Sequence, residues 1–418
     1  MEKLVVTGKN RLSGDVFISG AKNAVVAIIP AAIIAEGVSI IENLPCIEDV
    51  TSFITTLEGL GIKCDLINEN TLKIDSTNIK SSIAVNDDVT KIRASYYLMG
   101  ALIGRFKKVE VALPGGCNFG SRPIDQHIRG FKALGIDVVV ENNIVKLDGT
   151  NLKGATVYLD MVSVGATINI MLAAVLAKGV TVIENAAKEP HVVDTANFLN
   201  MLGAKVTGAG TDVIRITGVE KLHGGEYTII PDQIEAGTYM IASAISGGDV
   251  CVRNIIPKHM DSLVAKLLEM GCEIEEGDDY IRVKSDGNLN ATNVKTMVYP
   301  GFPTDLQPQM TTLLAVAKGT STLTENVWEN RFQYVEELKK LGANISLDGR
   351  IATINGIDYF EGGQVKATDL RAGAAMILAG LRSKGEIVIS NTKYIDRGYE
   401  KVEYKLRALG ADIKRIID

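Results

Sequence analysis

A short phrase recurs six times along the chain of 418 residues, and this repeat constrains the fold more than any other feature of the sequence. In each copy a run with helical spacing of apolar residues ends at a glycine, and an alternating apolar run follows. Glycine at this place is typical of the left-handed residue that ends a helix. The spacing predicts six copies of one α/β unit, each about 70 residues long. The six glycines are Gly61, Gly135, Gly203, Gly271, Gly342 and Gly410.

A second phrase lies upstream in each copy and is typical of a helix end, a turn and then a strand. Its copies are AEGVSIIEN, GRFKKVEVA, AKGVTVIEN, SGGDVCVRN, AKGTSTLTEN and SKGEIVISN, of which the second departs most from the pattern. Each unit is therefore predicted to run helix, strand, helix, strand, with further strand material. The repeat by itself indicates no reaction, because a scaffold or a ring-shaped DNA clamp could share it.

The turns before the first helix of each unit differ between copies. Helix N-termini favour anionic ligands, so six such starts could assemble one shared site. Ordinary N-caps account for the serine and aspartates, but not for Lys22 or Arg93, since the helix dipole disfavours a cation there. We therefore predict a shared site for an anionic ligand. The residues that distinguish the six turns are Lys22, Arg93, Ser163, Glu235, Asp305 and Asp369 with Arg371.

Composition restricts the class of protein. With 46% apolar and 22% charged residues the chain is typical of a globular protein, and its length fits two domains. The net charge of -6 argues against a nucleic-acid or anionic-membrane partner. The longest apolar run, 24–35, is too short to cross a bilayer, and no signal peptide is predicted. Five cysteines without CxxC spacing and four scattered histidines predict a cytoplasmic protein with reduced thiols and no metal site.

One cysteine differs from the others because it lies in a glycine-rich loop, LPGGCNFGSRPID, at 113–125. The segment GGCNFGSR approximates a phosphate loop, but Ser121 and Arg122 replace the required Lys-Ser/Thr, and no helical period follows. A nucleotide triphosphatase is therefore excluded. Nearby cations lower the pKa of a thiol and increase its reactivity, so Cys117, shortly before Arg122, is predicted to be reactive. The alternative is a surface cysteine without a role.

Nine segments together resemble the UDP-N-acetylglucosamine enolpyruvyl transferases of the EPSP synthase superfamily. They follow one another through almost the whole chain: SGAKNA, KIRAS, PGGCNFGSRPID, VSVGATI, ENAAKEPHVVDTANFL, FPTDLQPQ, ENRF, ATDLRA and YIDRGYE. The resemblance implies an inside-out α/β barrel, with helices inside, sheets outside and two domains of three repeats each. One domain would be 22–229 with the Cys117 loop. The other would be 1–21 plus 230–418, and the cleft between them would be the active site.

The resemblance also implies the reaction. The enolpyruvyl group of phosphoenolpyruvate would pass to the 3-hydroxyl of UDP-N-acetylglucosamine by addition and elimination, releasing phosphate, without cofactor or metal. This is the first committed step of peptidoglycan precursor synthesis. Cys117 would donate a proton, form a covalent adduct and be alkylated by the epoxide fosfomycin. Asp305 would be the general base, and Lys22 and Arg397 would complete the catalytic set.

The remaining site residues follow from the same resemblance. Phosphoenolpyruvate would contact Lys22, Asn23, Arg122, Arg331, Asp369, Arg371 and Arg397. The UDP-sugar would contact Arg93, Arg122, Pro123, Ile124, Asp125, Gln126, Ser163, Val164, Gly165, Asp305 and Val327.

Two positions depart from the family pattern. Met161 replaces a common lysine near the nucleotide, and Gln126 replaces a common leucine; both fit one of two paralogous forms.

Two other functions stay open. A shikimate-phosphate enolpyruvyl transferase of the same fold is one alternative function, disfavoured by the Cys117 loop and the VSVGAT phrase. A non-enzymatic repeat scaffold or clamp is the other. The sequence predicts no oligomeric state.

Overall fold

The computed structural model describes residues 2–8, 10–85, 89–90, 93–113 and 124–417, and at Arg93 the backbone alone. The chain divides into two compact units. We call Gly20–Ile230 the middle unit. We call Met1–Ser19 together with Pro231–Asp418 the terminal unit.

The described strands are short, and each unit contains half of them. The chain begins in the terminal unit with β1 (Glu2–Thr7) and β2 (Ser13–Phe17). The middle unit contains β3 (Val38–Glu42), β4 (Lys63–Asn68), β5 (Thr71–Asp75), β6 (Ile83–Ala84), β7 (Lys108–Ala112), β8 (Asp137–Glu141), β9 (Ile144–Asp148), β10 (Thr156–Tyr158), β11 (Val180–Glu184), β12 (Lys205–Thr207), β13 (Val213–Thr217) and β14 (Glu226–Thr228). The terminal unit continues with β15 (Asp249–Arg253), β16 (Glu273–Glu276), β17 (Tyr280–Lys284), β18 (Val294–Lys295), β19 (Thr320–Thr324), β20 (Asn344–Asp348), β21 (Ile351–Asn355), β22 (Gly363–Lys366), β23 (Glu386–Ser390) and β24 (Asp412–Ile417).

Helices alternate with these strands. Those of the middle unit are α1 (Lys22–Ala32), α2 (Glu48–Gly59), α3 (Tyr97–Arg105), α4 (Asp125–Ala133), α5 (Val164–Ala174) and α6 (Pro190–Met201). Those of the terminal unit are α7 (Gln233–Ser246), α8 (Asp261–Glu269), α9 (Gln307–Leu314), α10 (Val335–Lys340), α11 (Leu370–Leu381), α12 (Lys393–Asp396) and α13 (Val402–Ala408). Short 3-10 turns cover Arg93–Tyr96, Pro257–Met260 and Thr304–Leu306.

The strands form six four-stranded sheets of one topology, three in each unit. In every sheet one edge strand is parallel to its neighbour and the other pairings are antiparallel. Two sheets of the terminal unit are completed by the first strands of the chain: β2 pairs in parallel with β15, and β1 lies between β23 and β24. The sixth copy of the repeat therefore obtains a strand from the N-terminal segment.

Each unit has its own core, and three helices fill it. In the middle unit α1 is buried from Ala24 to Ala32 and α5 from Ala166 to Ala174. A helix that is apolar on all sides must be surrounded by protein, so these helices lie inside and the sheets cover them. In the terminal unit α7, α9 and α11 are buried in the same way. The predicted α/β fold with helices inside is confirmed in both units.

The repeat glycines have the predicted conformation. All six have a positive φ, from 79° at Gly135 to 99° at Gly203. Each follows the last turn of a helix; Gly61, for example, donates its N–H to the carbonyl of Glu58. The prediction of left-handed helix ends is therefore confirmed. None of the helices in the described part of the chain has the length and hydropathy needed to span a bilayer.

Candidate active site

In the terminal unit Asp305 lies between two buried arginines. One carboxylate oxygen is 2.9 Å from Nη2 of Arg371, and the other is 3.3 Å from Nη2 of Arg331. Both guanidinium side chains are 4% exposed, whereas the Asp305 side chain is 29% exposed. Asp305 therefore keeps access to solvent while the arginines approach it from the protein side. Two guanidinium groups that converge on one partly exposed carboxylate suit an anionic ligand.

Arg371 is fixed by the start of α11. The side chain of Asp369 accepts the N–H groups of Arg371 and Ala372, at 2.8 Å and 3.2 Å, and so caps this helix. Burial alone would lower the pKa of Arg371, but the neighbouring Asp305 and Tyr399 outweigh it and raise that pKa above its ordinary range. Its Nη1 is buried and finds no acceptor among the described residues. A guanidinium N–H group bonds strongly to a carboxylate or phosphate oxygen that reaches it.

Two further predicted residues belong to the terminal unit. Val327 is the third residue after β19, and its N–H donates to the Glu325 carboxylate at 2.8 Å. Arg397 follows the last residue of α12 and is partly buried.

In the middle unit Lys22 is the first residue of α1, a place that the helix dipole makes unfavourable for a cation. Its Nζ is 3.0 Å from the carboxylate of Asp49 in the first turn of α2. The Asp49 residue is only 4% exposed. Asp49 compensates the charge of Lys22 and holds the ammonium group in a partly exposed place beside Asn23. The sequence reasoning missed Asp49.

The starts of α4 and α5 bring together several residues predicted to contact the UDP-sugar. Ile124 precedes α4, and Asp125 and Gln126 are its first residues. The Gln126 Oε1 accepts the N–H of Asp160 at 3.3 Å. Ser163 caps α5 by accepting the N–H of Ala166, which places Val164 and Gly165 in the first turn.

A buried polar network joins these starts to the 3-10 turn Arg93–Tyr96. The Asn169 Nδ2 donates to the carbonyl of Tyr96 at 2.8 Å and lies 3.0 Å from Nδ1 of His127. Because Gly100 N–H donates to Asn169 Oδ1 at 2.7 Å, the amide orientation is determined. The neutral His127 ring therefore accepts at Nδ1 and has its hydrogen on Nε2.

Close packing at Gly165 completes this arrangement. A Cβ atom there would lie 3.0 Å from the Tyr96 hydroxyl and 3.1 Å from Nε2 of His127. The Tyr96 and His127 ring centroids are 4.9 Å apart. A side chain at Gly165 would force the neighbouring rings to shift by a few tenths of an ångström. The segments containing Arg93, Gln126 and Gly165 consequently meet within the middle unit.

Three predicted site residues, Cys117, Arg122 and Pro123, lie outside the described residues, as does the side chain of Arg93. Of the other cysteines, Cys46 is exposed and Cys251 is buried. Burial raises the pKa of the Cys64 thiol to about 12 and that of Cys272 to about 11, so both are poor nucleophiles. In the described ranges no group of three or more His, Cys, Asp or Glu side chains could hold a metal ion.

The sequence model of the EPSP synthase (3-phosphoshikimate 1-carboxyvinyltransferase) family matches residues 6–406. The chain belongs to the EPSP synthase family. The UDP-N-acetylglucosamine 1-carboxyvinyltransferase of Clostridium botulinum is 57% identical over 417 residues, which are 100% of both chains. The enzyme named UDP-N-acetylglucosamine 1-carboxyvinyltransferase 3 of Caldanaerobacter subterraneus is 54% identical, also over 100% of both chains. The resemblance identified in the sequence is confirmed.

Solved structures of the EPSP synthase family have the same fold. The enolpyruvyl transferase NikO from Streptomyces tendae has a TM-score of 0.90 at 27% identity, covering 99% of this chain and 98% of its own. The EPSP synthase from Acinetobacter baumannii has a TM-score of 0.74 at 20% identity, with 100% of both chains covered. The second similarity shows the fold alone.

Within this family member the described site residues form two groups. One group surrounds Asp305 in the terminal unit, and the other follows the helix starts of the middle unit from Lys22 to Gly165. The only sequence signal for Asp49 was weak: it is the second residue of α2, where an acidic residue is ordinary, and the lysine that opens α1 needs a compensating charge. The assignment of these residues to substrates stays a prediction.

Proposed function

We propose that this chain transfers the enolpyruvyl group of phosphoenolpyruvate to the 3-hydroxyl of UDP-N-acetylglucosamine and releases phosphate, the first committed step of peptidoglycan precursor synthesis. The observation that carries the proposal is the 57% identity over the full length of the Clostridium botulinum enzyme of that name. We further propose that it acts in the cytoplasm, since its cysteines lack the spacing of a disulfide framework.

Asp305 is the proposed general base for the sugar hydroxyl. It is a carboxylate with 29% of its side chain exposed, on a short turn that two buried arginines hold in place. A general base must reach the proton that it removes, and a fixed, partly exposed carboxylate meets this requirement. Arg371, whose Nη1 has no acceptor in the described ranges, is a proposed ligand for the anionic groups of phosphoenolpyruvate.

Lys22 supplies the proposed cation from the middle unit, together with Asn23 and the N-terminus of α1. No side chain caps this helix at Ala21, the residue that precedes it. The N–H groups of the first helical turn point toward the end of the helix where Lys22 lies. The UDP-sugar is proposed to contact the starts of α4 and α5. We propose that residues of both units act on one pair of substrates, and we therefore expect substrate binding to be accompanied by a conformational change.

The addition step also needs a proton donor for the methylene carbon, and Cys117 is proposed for it. Alkylation with fosfomycin followed by peptide mass mapping tests this assignment. Modification of Cys117 supports it, and modification of the exposed Cys46 instead would contradict it.

Phosphate release, measured with each of two acceptors, tests the function itself. Release with UDP-N-acetylglucosamine and none with shikimate 3-phosphate is expected. The family description includes the shikimate-phosphate enzyme, and the opposite result would assign the chain to that activity.

A further inference from the structure

Each repeat has a five-residue strand at the equivalent place. The residue that directly follows this strand is not the same in all six repeats. These strands are β3, β7, β11, β15, β19 and β23. Four of the residues that follow are asparagines, and two are not. The residues are Asn43, Leu113, Asn185, Asn254, Glu325 and Asn391.

The four asparagines have one structural role. Each has a positive φ, between 55° and 61°. Each donates its side-chain amide to the carbonyl of the residue that follows the parallel edge strand of its own sheet. Asn254, for example, donates to Ile18 at 2.7 Å. In these four repeats the asparagine thus connects the ends of two parallel strands by a hydrogen bond.

Glu325 occupies the same place and acts differently. It is absent from the described residues with positive φ, and its N–H donates to the carbonyl of Arg350 at 2.8 Å. Its carboxylate is fully buried. One oxygen accepts the N–H groups of Val327 at 2.8 Å and Trp328 at 3.0 Å, and the other accepts the hydroxyl of Thr304 at 2.9 Å.

These contacts connect two segments of the candidate site. Thr304 directly precedes Asp305, the proposed base, and Val327 is itself a predicted UDP-sugar contact. Burying a carboxylate is costly unless its oxygens are hydrogen-bonded, and an asparagine suffices at this place in four other repeats. The cost of burying the Glu325 carboxylate is explained if its hydrogen bonds fix the position of segments outside the sheet.

The second exception supports this interpretation. Leu113 also lacks the left-handed conformation, and it precedes the loop that contains Cys117. The two repeats that depart from asparagine are therefore the two that contain the proposed proton donor and the proposed base.

We infer that Glu325 is a positioning residue of the proposed transfer. Its carboxylate holds the Thr304–Asp305 turn and the Val327–Trp328 segment in one arrangement, and so determines where the Asp305 carboxylate meets the sugar hydroxyl. The inference rests on the proposed function and adds to it a residue that acts through Asp305 and Val327.

Steady-state kinetics of Glu325→Ala and Glu325→Gln test the inference. Alanine removes all three bonds, so kcat/KM for the UDP-sugar should fall about a hundredfold, since small displacements of reacting groups have effects of this size. The KM for phosphoenolpyruvate should change much less, because its proposed ligand Lys22 keeps its contact with Asp49 in the middle unit. Glutamine should recover most of the activity: its amide oxygen can accept both backbone N–H groups, and its amide nitrogen can donate to the Thr304 hydroxyl.

Asn254→Ala is the matched control. It removes the side-chain bond at the equivalent strand end of the same unit, and it strains a backbone with a φ of 57°. Its melting temperature should fall while the KM for the UDP-sugar stays unchanged. If Glu325→Ala loses activity no more than Asn254→Ala does, Glu325 is structural only. Equal loss in the glutamine and alanine variants would show that charge, not the three bonds, matters, and would also overturn the inference.

The wild-type assay separates the two proposals. Without phosphate release from the wild-type protein the proposed function fails; with release, the variants decide on Glu325 alone. If Glu325→Ala does not fold, Thr304→Val replaces it, because this change removes one of the three bonds and nearly keeps the shape. A loss specific to the UDP-sugar then supports the inference, and unchanged kinetics contradict it.

Discussion

Replacing Asp305 by asparagine should destabilise the terminal unit as well as abolish the reaction. The carboxylate is 2.9 Å from Arg371 and 3.3 Å from Arg331, and both side chains are 4% exposed. Removing one partner of a buried ion pair costs about 3 to 5 kcal/mol. Because the Asp305 side chain is 29% exposed, solvent screening places the expected loss at about 3 kcal/mol, the lower limit.

Thermal unfolding measures this loss. In a unit of this size each kcal/mol lowers the melting temperature by about 2 to 4 °C, so a decrease of about 6 to 12 °C is expected. Inorganic phosphate should restore part of the stability of Asp305→Asn and have less effect on the wild-type protein, since the variant removes the carboxylate charge that both buried arginines contact.

Asp396→Asn is the control. This carboxylate is 2.7 Å from Arg415 but 36% exposed, and Arg415 keeps Glu403 as a partner. A surface pair of this kind contributes about 1 kcal/mol or less. If Asp305→Asn melts no lower than Asp396→Asn, or if phosphate stabilises both proteins equally, the arginines are not held by Asp305 and the reasoning is refuted.

Three further changes have definite expected results. Asp49→Asn should raise the KM for phosphoenolpyruvate by about tenfold, because Lys22 loses the carboxylate that orients it, whereas Glu48→Gln in the same turn should have little effect; initial rates measure both. Burial raises the pKa of Asp194 from 3.8 to about 6, so its protonated form is favoured in the fold. The stabilisation from Asp194 is fully present below about pH 4. As the pH rises to about 6, the free energy of unfolding should fall by about 3 kcal/mol. Urea unfolding at several pH values should show this fall in the wild-type protein and not in Asp194→Asn. Arg105→Gln should lower the free energy of unfolding by about 2 kcal/mol, since Arg105 donates to the carbonyls of Ile33, Ala35 and Ser76; equal denaturation midpoints would contradict this.

The sequence predicted the architecture because the signals are local. A helix that ends at glycine and a strand that follows lie within a few residues of each other, and six copies make the pattern unmistakable. That residues 1–21 belong with 230–418 was predicted from the family resemblance alone: β1 pairs with β23 and β24 from the other end of the chain, and nothing in its residues names these partners. Pairing across such a separation depends on the closure of the whole unit rather than on local preference.

Polar partners of the site were harder to predict than the site residues themselves. Lys22 was conspicuous because a cation at a helix start is unfavourable, but Asp49, which compensates it, resembles an ordinary acidic residue of a first turn. Asp305 and Arg371 were found among the turns that differ between repeats and received their roles from the family resemblance, whereas their distance of 2.9 Å depends on how the fifth and sixth repeats pack. A single sequence contains no signal for contacts of this kind.

Differences between repeats indicate function only when burial is considered with them. Glu235 differs from its counterparts as much as Asp305 does, yet its side chain is 3% exposed, and its carboxylate bonds to Lys405 at 2.6 Å and to Ser19 N–H at 2.8 Å. Its polar atoms are used within the protein, so this difference serves the fold. Asp305 keeps an exposed carboxylate that a substrate can reach. Glu325 connects the two cases: it is as buried as Glu235, but the segments that it holds include Asp305, the proposed base, which is partly exposed. A departure from repeat symmetry therefore points to the reaction when the residue, or the group that it positions, remains accessible.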